Sequence, residues 1–298
     1  MHNLKSASAK LNVTMFLLPA IVIYLTLLII PLLAAIYFSF MDWNGISGSP
    51  LVFVGMDNYV SAFRDPAFRL ALSNMLRMVV FSVLFHTPIA LLLAVALNSR
   101  FRGFKIFKIL FFVPTVFPLA SIGLMWYFVF MPTGSLNAMF KALGLLEMVK
   151  PWLVSPDTAM NTIIFVNIWA GIGYFLVILL AGLTTIPDEL YEAAAIDGAG
   201  SVNKFFNITI PMLKPTLFMC ILLDIIGSVK VFDLVFAMTG GGPNGLTNLP
   251  TTLMYNEAFK YNHYGTGSAI GIIILIICLL GTAGSNGLMR RSSQKDGV

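Results

Sequence analysis

Six long apolar runs dominate this chain, and each is about as long as a lipid bilayer is thick. They fall near Met15–Phe38, Leu76–Leu97, Phe107–Phe130, Thr162–Leu183, Leu217–Met238 and Gly267–Leu288. A helix rises about 1.5 Å per residue, so roughly 20 apolar residues cover a hydrocarbon core of about 30 Å. Hydrophobic residues make up 58% of the chain and charged residues 10%, against about 25% charged in a soluble domain. A chain of this kind is expected to fold in lipid, as an all-α polytopic membrane protein with about six transmembrane helices. Lys5 and Lys10 ahead of the first run imitate a secretory signal, but Val13 to Phe40 is longer than the roughly 7–15 residues of a signal's apolar region. That run is therefore expected to be a retained first helix. The organisation that follows is an N-terminal segment over 1–12, a membrane domain over 13–288 and a C-terminal tail over 289–298.

An even number of spans puts both termini on one side, and Lys and Arg choose the side. Eleven basic residues, among them Lys5, Lys10, Arg100, Arg102, Lys204, Lys214 and Arg290, fall on the side of the termini, and six, such as Arg64, Arg77 and Lys150, on the other. Both termini are thus expected in the cytoplasm. The net charge of +5 is scattered among the apolar runs rather than gathered on one face, which argues against a nucleic-acid partner. Cys220 and Cys278 lie inside apolar runs and read as small buried hydrophobes, with no disulfide framework or metal motif around them.

Polar and helix-breaking residues within the runs mark where such a protein works. Pro114, Pro118, Gly171, Gly173 and Gly227 fall in or beside the spans. Breaks of this kind line cavities or simply allow close packing. Ionisable groups in a span are expensive and so are functional candidates. The fifth run holds Asp224, Lys230 and Asp233, and the second holds His86. Lys230 and Asp233, three apart, could neutralise each other on a helix, whereas Asp224 has no partner near it in sequence and is a candidate acceptor for a solute's hydroxyls. His86 reads as a packed, hydrogen-bonded histidine.

The loop between the fourth and fifth runs, Thr184 to Pro211, is polar yet patterned as two short helices. Thr185 is a candidate cap, Pro187 suits an early helical position, and Asp188 and Glu189 complement the first turn. Gly198 or Gly200 is expected to end the first helix. Ser201 is expected to cap a second through Phe206, with Pro211 stopping it. Phe205 and Phe206 are expected to add exposed apolar area, as at a partner site. On the residues alone, an amphipathic helix lying on the headgroups is the alternative.

Glu192-Ala193-Ala194, three residues, Gly198, nine residues, Ile208, one residue, Ile210 and Pro211 resemble the EAA loop of ATP-binding-cassette importer permeases, with Ile210 in place of a leucine. The runs Val54–Tyr59, Ala181–Ala194 and Phe232–Pro243 are similar to the carbohydrate-uptake branch, the maltose-type and glycerol-phosphate-type permeases, and to the first of the two subunits that usually pair. The resemblance extends from the first helix to the last. It implies a type I importer permease fold in a bacterial or archaeal plasma (inner) membrane, and a loop that docks on an ATPase through Glu192, Ala193, Ala194 and Gly198. The implied partners are a second permease subunit forming a heterodimer, two ATP-binding cassette subunits, an extracytoplasmic solute-binding protein and membrane lipid. It implies no cofactor in this chain, with ATP and Mg on the partner ATPase. The glycine-rich Thr239–Gly245 lacks the G-K-[ST] of a phosphate-binding loop, so the chain itself is expected to be non-catalytic.

Asn167, Gly171 and Tyr174 stand in an N-x-W-x-G-x-x-Y arrangement similar to the one whose Asn, Gly and Tyr line the sugar site of the maltose-type family. Counting back from Thr239, Asp224, Gly227 and Ser228 fall where that family's fifth-span contacts lie. The fifth run differs from the neutral one of the maltose-type importer in carrying Asp224 and Lys230, so the resemblance leaves the solute open among a sugar, an oligosaccharide, a polyol derivative such as glycerol phosphate and a non-sugar solute. A secondary transporter working alone leaves the 184–211 loop without a purpose and calls for inverted repeats. A membrane enzyme calls for a convergent His, Asp or Glu cluster that the sequence does not offer.

Overall fold

The computed structural model describes residues 15–98 and 103–295, without the side chains of 286 and 288–295. The N-terminal segment 1–12, with Lys5 and Lys10, and the basic residues Arg100 and Arg102 lie outside the described residues. The regular secondary structure is helical apart from one short ribbon. In order it runs through α1 (Met15–Ser39), β1 (Met41–Asp42), β2 (Val52–Phe53), α2 (Asp57–Arg64), α3 (Pro66–Asn98), α4 (Phe104–Val116), α5 (Leu119–Phe130), α6 (Ser135–Ala142), α7 (Ala159–Leu183), α8 (Asp188–Ile196), α9 (Ser201–Val229), α10 (Asp233–Thr239), α11 (Pro250–Tyr255) and α12 (Tyr264–Lys295). Among the described residues, six helical stretches are long and apolar enough to cross a membrane: Met15–Ser39, Pro66–Asn98, Leu119–Ala142, Ala159–Leu183, Ser201–Val229 and Tyr264–Ser285. The expectation of an all-α polytopic membrane fold holds.

The chain divides into two compact units. The first comprises α1, the ribbon, α2 and residues 254–273. Its order comes from Asn58, whose amide donates to the carbonyls of Ser39 and Met41 at 3.0 and 2.8 Å and accepts from the Thr266 hydroxyl at 3.1 Å. Tyr59 adds a 2.7 Å bond to Ser39, and Phe38, Trp43 and Tyr264 pack ring against ring. Small amide and hydroxyl groups thus close the end of α1.

The second unit holds α3 to α10, Pro250–Leu253 and the chain from Ile274 onward. Its centre is α3 against α7, with α9 packed mainly on α3 and α4 mainly on α7. The buried core draws Ala90, Leu91 and Ala94 from α3, Phe175, Leu176 and Leu179 from α7, and Leu213 and Cys220 from α9. Lipid offers no hydrophobic gain for bringing apolar helices together, so close backbone approach and van der Waals contact do the work. Gly173 makes that approach possible: a Cβ there would stand 2.2 Å from the Phe111 carbonyl oxygen.

The structure departs from the sequence reading in the third, fifth and last runs. The third run is split between α4 and α5 at Phe117 and Pro118, both with extended ψ, because a residue before proline is driven out of the helical region and proline has no N–H to continue the ladder. The fifth run begins earlier and ends sooner than expected. Pro211 does not stop a second short helix; a π-helical turn at Phe205–Thr209 widens the backbone just ahead of it, and α9 runs on through Pro211 and Pro215 to Val229. Lys230 is the C-terminal cap and Asp233 starts α10, both exposed. They therefore do not share a helix as an internal pair. The last helix continues through Lys295, past the expected tail boundary at 289.

Candidate functional site: a polar cavity and a coupling loop

The broken backbone opens a cavity of about 280 Å³ whose wall includes Pro114, Thr115, Phe117 and Leu119 from the α4–α5 break. All six residues expected to contact solute line this one cavity: Asn167, Gly171 and Tyr174 from α7, and Asp224, Gly227 and Ser228 from α9. His86 joins them from α3. Each helix places its residues there by period: 167, 171 and 174 are spaced four and three apart, and 227 and 228 follow 224 by three and four positions, on one face.

The polar groups form a chain of hydrogen bonds. His86 Nδ1 lies 2.8 Å from Asp224 Oδ1, and both side chains are buried. His86 Nε2 lies 3.1 Å from the Asn167 carbonyl oxygen. The Asn167 amide donates to Ser82 Oγ at 3.0 Å, and the Ser228 hydroxyl donates to Asp224 Oδ1 at 3.4 Å. Gly171 makes room for the imidazole, since a Cβ there would come within 2.6 Å of His86 Nε2. Tyr174 is 45% exposed, presenting an aromatic face beside these groups. A Cβ on Gly227 would meet nothing within 4 Å. The cavity thus offers a ring and an open glycine wall backed by a buried hydroxyl and carboxyl group, a combination suited to hydroxyl groups and C–H faces.

His86 is the partner that sequence reasoning did not assign to Asp224. The two are 138 positions apart, and the only prior signal was that each is an expensive polar group inside an apolar run.

The loop between α7 and α9 holds its own geometry. Pro187 is the N-cap of α8, and Asp188 and Glu189 occupy its first turn. Thr185 does not cap α8; its hydroxyl donates back to the Gly182 carbonyl at 2.8 Å. The helix closes with the Ala199 N–H on Ala194 O at 2.8 Å and the Gly198 N–H on Ala195 O at 3.1 Å. This is a Schellman end that needs the left-handed φ of +79° at Gly198. Tyr191 OH and Thr209 Oγ1, 3.0 Å apart, fasten α8 to α9. Glu192, Ala193 and Gly198 are exposed and Ala194 is half-buried. Ile196, Val202 and Phe206 are 87%, 70% and 60% exposed, an apolar set on the same loop as Glu192. Phe205, expected to be exposed, instead packs half-buried against the core of the second unit.

Thr239–Gly245 is a pinned turn. Thr239 Oγ1 meets Thr247 Oγ1 at 2.7 Å, and the Asn74 amide donates to the carbonyls of Leu246 and Asn248 at 2.9 and 3.0 Å. No group of His, Cys, Asp and Glu able to hold a metal occurs among the described residues.

A membrane-embedded helical unit with a polar cavity between its helices and an ordered polar loop beyond them is the architecture of a permease. The sequence profile of the binding-protein-dependent transport system inner membrane component family matches residues 86–294, and the chain belongs to that family. It is 36% identical to the probable ABC transporter permease protein YurN of Bacillus subtilis, covering 89% of this chain and 91% of that one. It is 33% identical to the multiple sugar-binding transport system permease protein MsmF of Streptococcus mutans, covering 88% and 89%. The fold is shared with a bacterial ABC transporter involved in import of the acidic polysaccharide alginate, with a TM-score of 0.85 at 23% identity over 98% of this chain and 99% of that one. The protein is thus a multi-pass permease component of a binding-protein-dependent importer.

Proposed function

We propose that this chain forms one wall of the path by which a sugar, oligosaccharide or related polyhydroxyl solute is imported. The observation that carries the proposal is the meeting of Asn167, Gly171, Tyr174, Asp224, Gly227 and Ser228 around one cavity with aromatic and hydroxyl-binding character. The similarity to a permease named for multiple sugars points the same way. A second permease subunit supplies the opposite wall, and an extracytoplasmic binding protein delivers the solute. Both termini lie in the cytoplasm, and the protein resides in a bacterial or archaeal inner membrane.

The energy comes from two ATP-binding cassette subunits, where ATP and Mg reside; this chain contributes no catalytic residue. Glu192 meets a polar or basic group of the ATPase, while Ala193, Ala194 and Gly198 let its surface approach. Rigid α8, fastened through Tyr191 and Thr209, transmits closure of the ATPases to α9 as a rigid-body movement. Because α9 carries both the loop attachment and Asp224, motion at the loop changes the cavity.

Replacing Asp224 with Asn tests the solute role in the assembled importer. The variant is expected to co-purify with its partners and to import poorly. Normal uptake would remove Asp224 from the solute contacts.

A further inference from the structure

Both imidazole nitrogens of His86 face oxygens that can accept a hydrogen bond. Nδ1 faces Asp224 Oδ1 at 2.8 Å, and Nε2 faces the backbone oxygen of Asn167 at 3.1 Å. A neutral imidazole beside an ionised carboxylate carries a single N–H and satisfies only one of these contacts. Two arrangements satisfy both. In one, an imidazolium donates to a carboxylate and to the carbonyl; in the other, Nδ1 accepts from a protonated carboxyl while Nε2–H donates to the carbonyl. The two hold the same number of protons, and neither carries net charge. Burial favours the same result, because the side chains are only 4% and 3% exposed and an uncompensated charge is costly there.

Asp224 Oδ2 is buried and has no hydrogen-bond partner among the described residues. Apart from the pair, Tyr174 is the only ionisable residue among the described residues lining the cavity, and no Lys or Arg is among them. An anionic solute therefore meets no cation on this wall.

We infer that His86 is a specificity-determining positioning residue. It cancels the charge of Asp224, so that this wall suits an uncharged, hydroxyl-bearing solute over a cationic or anionic one. The inference rests on the proposed reading of the cavity as the solute's path. It narrows that reading, since a phosphorylated polyol becomes a poor fit to this wall. Gly171 belongs to the same device, because only a residue without Cβ admits the ring at this depth.

Gly227 offers a reporter position, since a side chain added there enters open space. In the intact importer, with Cys220 and Cys278 of this chain replaced by Ala, the Gly227→Cys variant is reacted with cationic aminoethyl methanethiosulfonate and with anionic sulfonatoethyl methanethiosulfonate. The ratio of the two rates, divided by the same ratio for free 2-mercaptoethanol, reports the local charge. The inference expects a normalised ratio near unity. Adding His86→Gln raises it on the order of tenfold in favour of the cation, as for a unit charge about 6 Å away acting oppositely on the two reagents in water. Adding Asp224→Asn, alone or with His86→Gln, returns it to near unity.

A parent ratio already favouring the cation, lowered by Asp224→Asn and unmoved by His86→Gln, would overturn the inference, because His86 would then merely pack against a charged carboxylate. If His86→Gln fails to assemble, the parent and Asp224→Asn ratios still separate the two patterns. The charge assignment and the path fail separately. Modification of Gly227→Cys that leaves uptake of radiolabelled maltose, trehalose and sucrose unchanged, with the expected ratios, overturns the path. Blocked uptake with a cation-favouring parent ratio overturns the charge assignment alone.

Discussion

His86 and Asp224 are separated by 138 positions and meet in a 2.8 Å contact that joins α3 to α9. With His86 Nε2 on the Asn167 carbonyl, one side chain links three helices around the cavity. His86→Leu leaves a buried carboxylate without its partner, a change that destabilises by about 3–5 kcal/mol for a pair removed from water. The detergent-solubilised permease is expected to unfold at a clearly lower temperature, and His86→Leu with Asp224→Leu, which removes both polar partners, is expected to recover most of the loss. Equal instability of the single and double variants would show that the pair does not act as a unit.

Gly171 tests the fit of the ring. A methyl group there collides with His86 Nε2 at 2.6 Å, so Gly171→Ala is expected to destabilise by about 1–3 kcal/mol through overpacking. Shortening the ring in Gly171→Ala with His86→Ala relieves the collision, so the two substitutions together should destabilise by less than the sum of each alone. Strict additivity in thermal unfolding would place the glycine's role elsewhere.

Gly227 behaves differently, because its surroundings are open. Gly227→Leu is expected to assemble and to unfold within about 1 kcal/mol of the parent, as glycine replacement in a helix carries no backbone penalty. The added side chain enters the cavity, so solute uptake should fall sharply. Normal uptake by a stable Gly227→Leu protein would move the path away from this wall.

Gly198 holds the end of α8 with φ +79°. Gly198→Ala strains a left-handed position by about 1–2 kcal/mol, and Gly198→Asn, which tolerates that region better, by less. The expected order of solute-stimulated ATP hydrolysis in the assembled importer is parent, then Gly198→Asn, then Gly198→Ala. A flat series would mean that the Schellman end does not contribute to coupling.

Much of this architecture was readable in the sequence because lipid imposes a simple rule. Every backbone group in a span must be bonded within the chain, so long apolar runs become helices. The 184–211 loop was readable for another reason: Pro187, Asp188, Glu189 and Gly198 are local signals that act within one turn of a helix end. The missed features are those where one residue's effect depends on what lies across from it. Pro211 looked like a stop, yet the π-helical turn at Phe205–Thr209 accommodates it. Lys230 and Asp233 looked like a pair, yet α9 ends between them and Asp224. The cavity residues of α7 and α9 follow from a resemblance within single helices, whereas His86 reaches Asp224 from a helix far away in sequence, where no local pattern assigns a partner to Asp224.

Glu192 sits exposed on α8 with Ala193 and Gly198, the surface proposed to receive the work of ATP hydrolysis. The most direct measurement is co-purification of the ATPase subunits with the membrane-embedded permease carrying Glu192→Arg, alongside solute uptake. The variant is expected to reach the membrane at the parent level and to lose both ATPase association and uptake. Unchanged association with the ATPases would contradict that role of the surface.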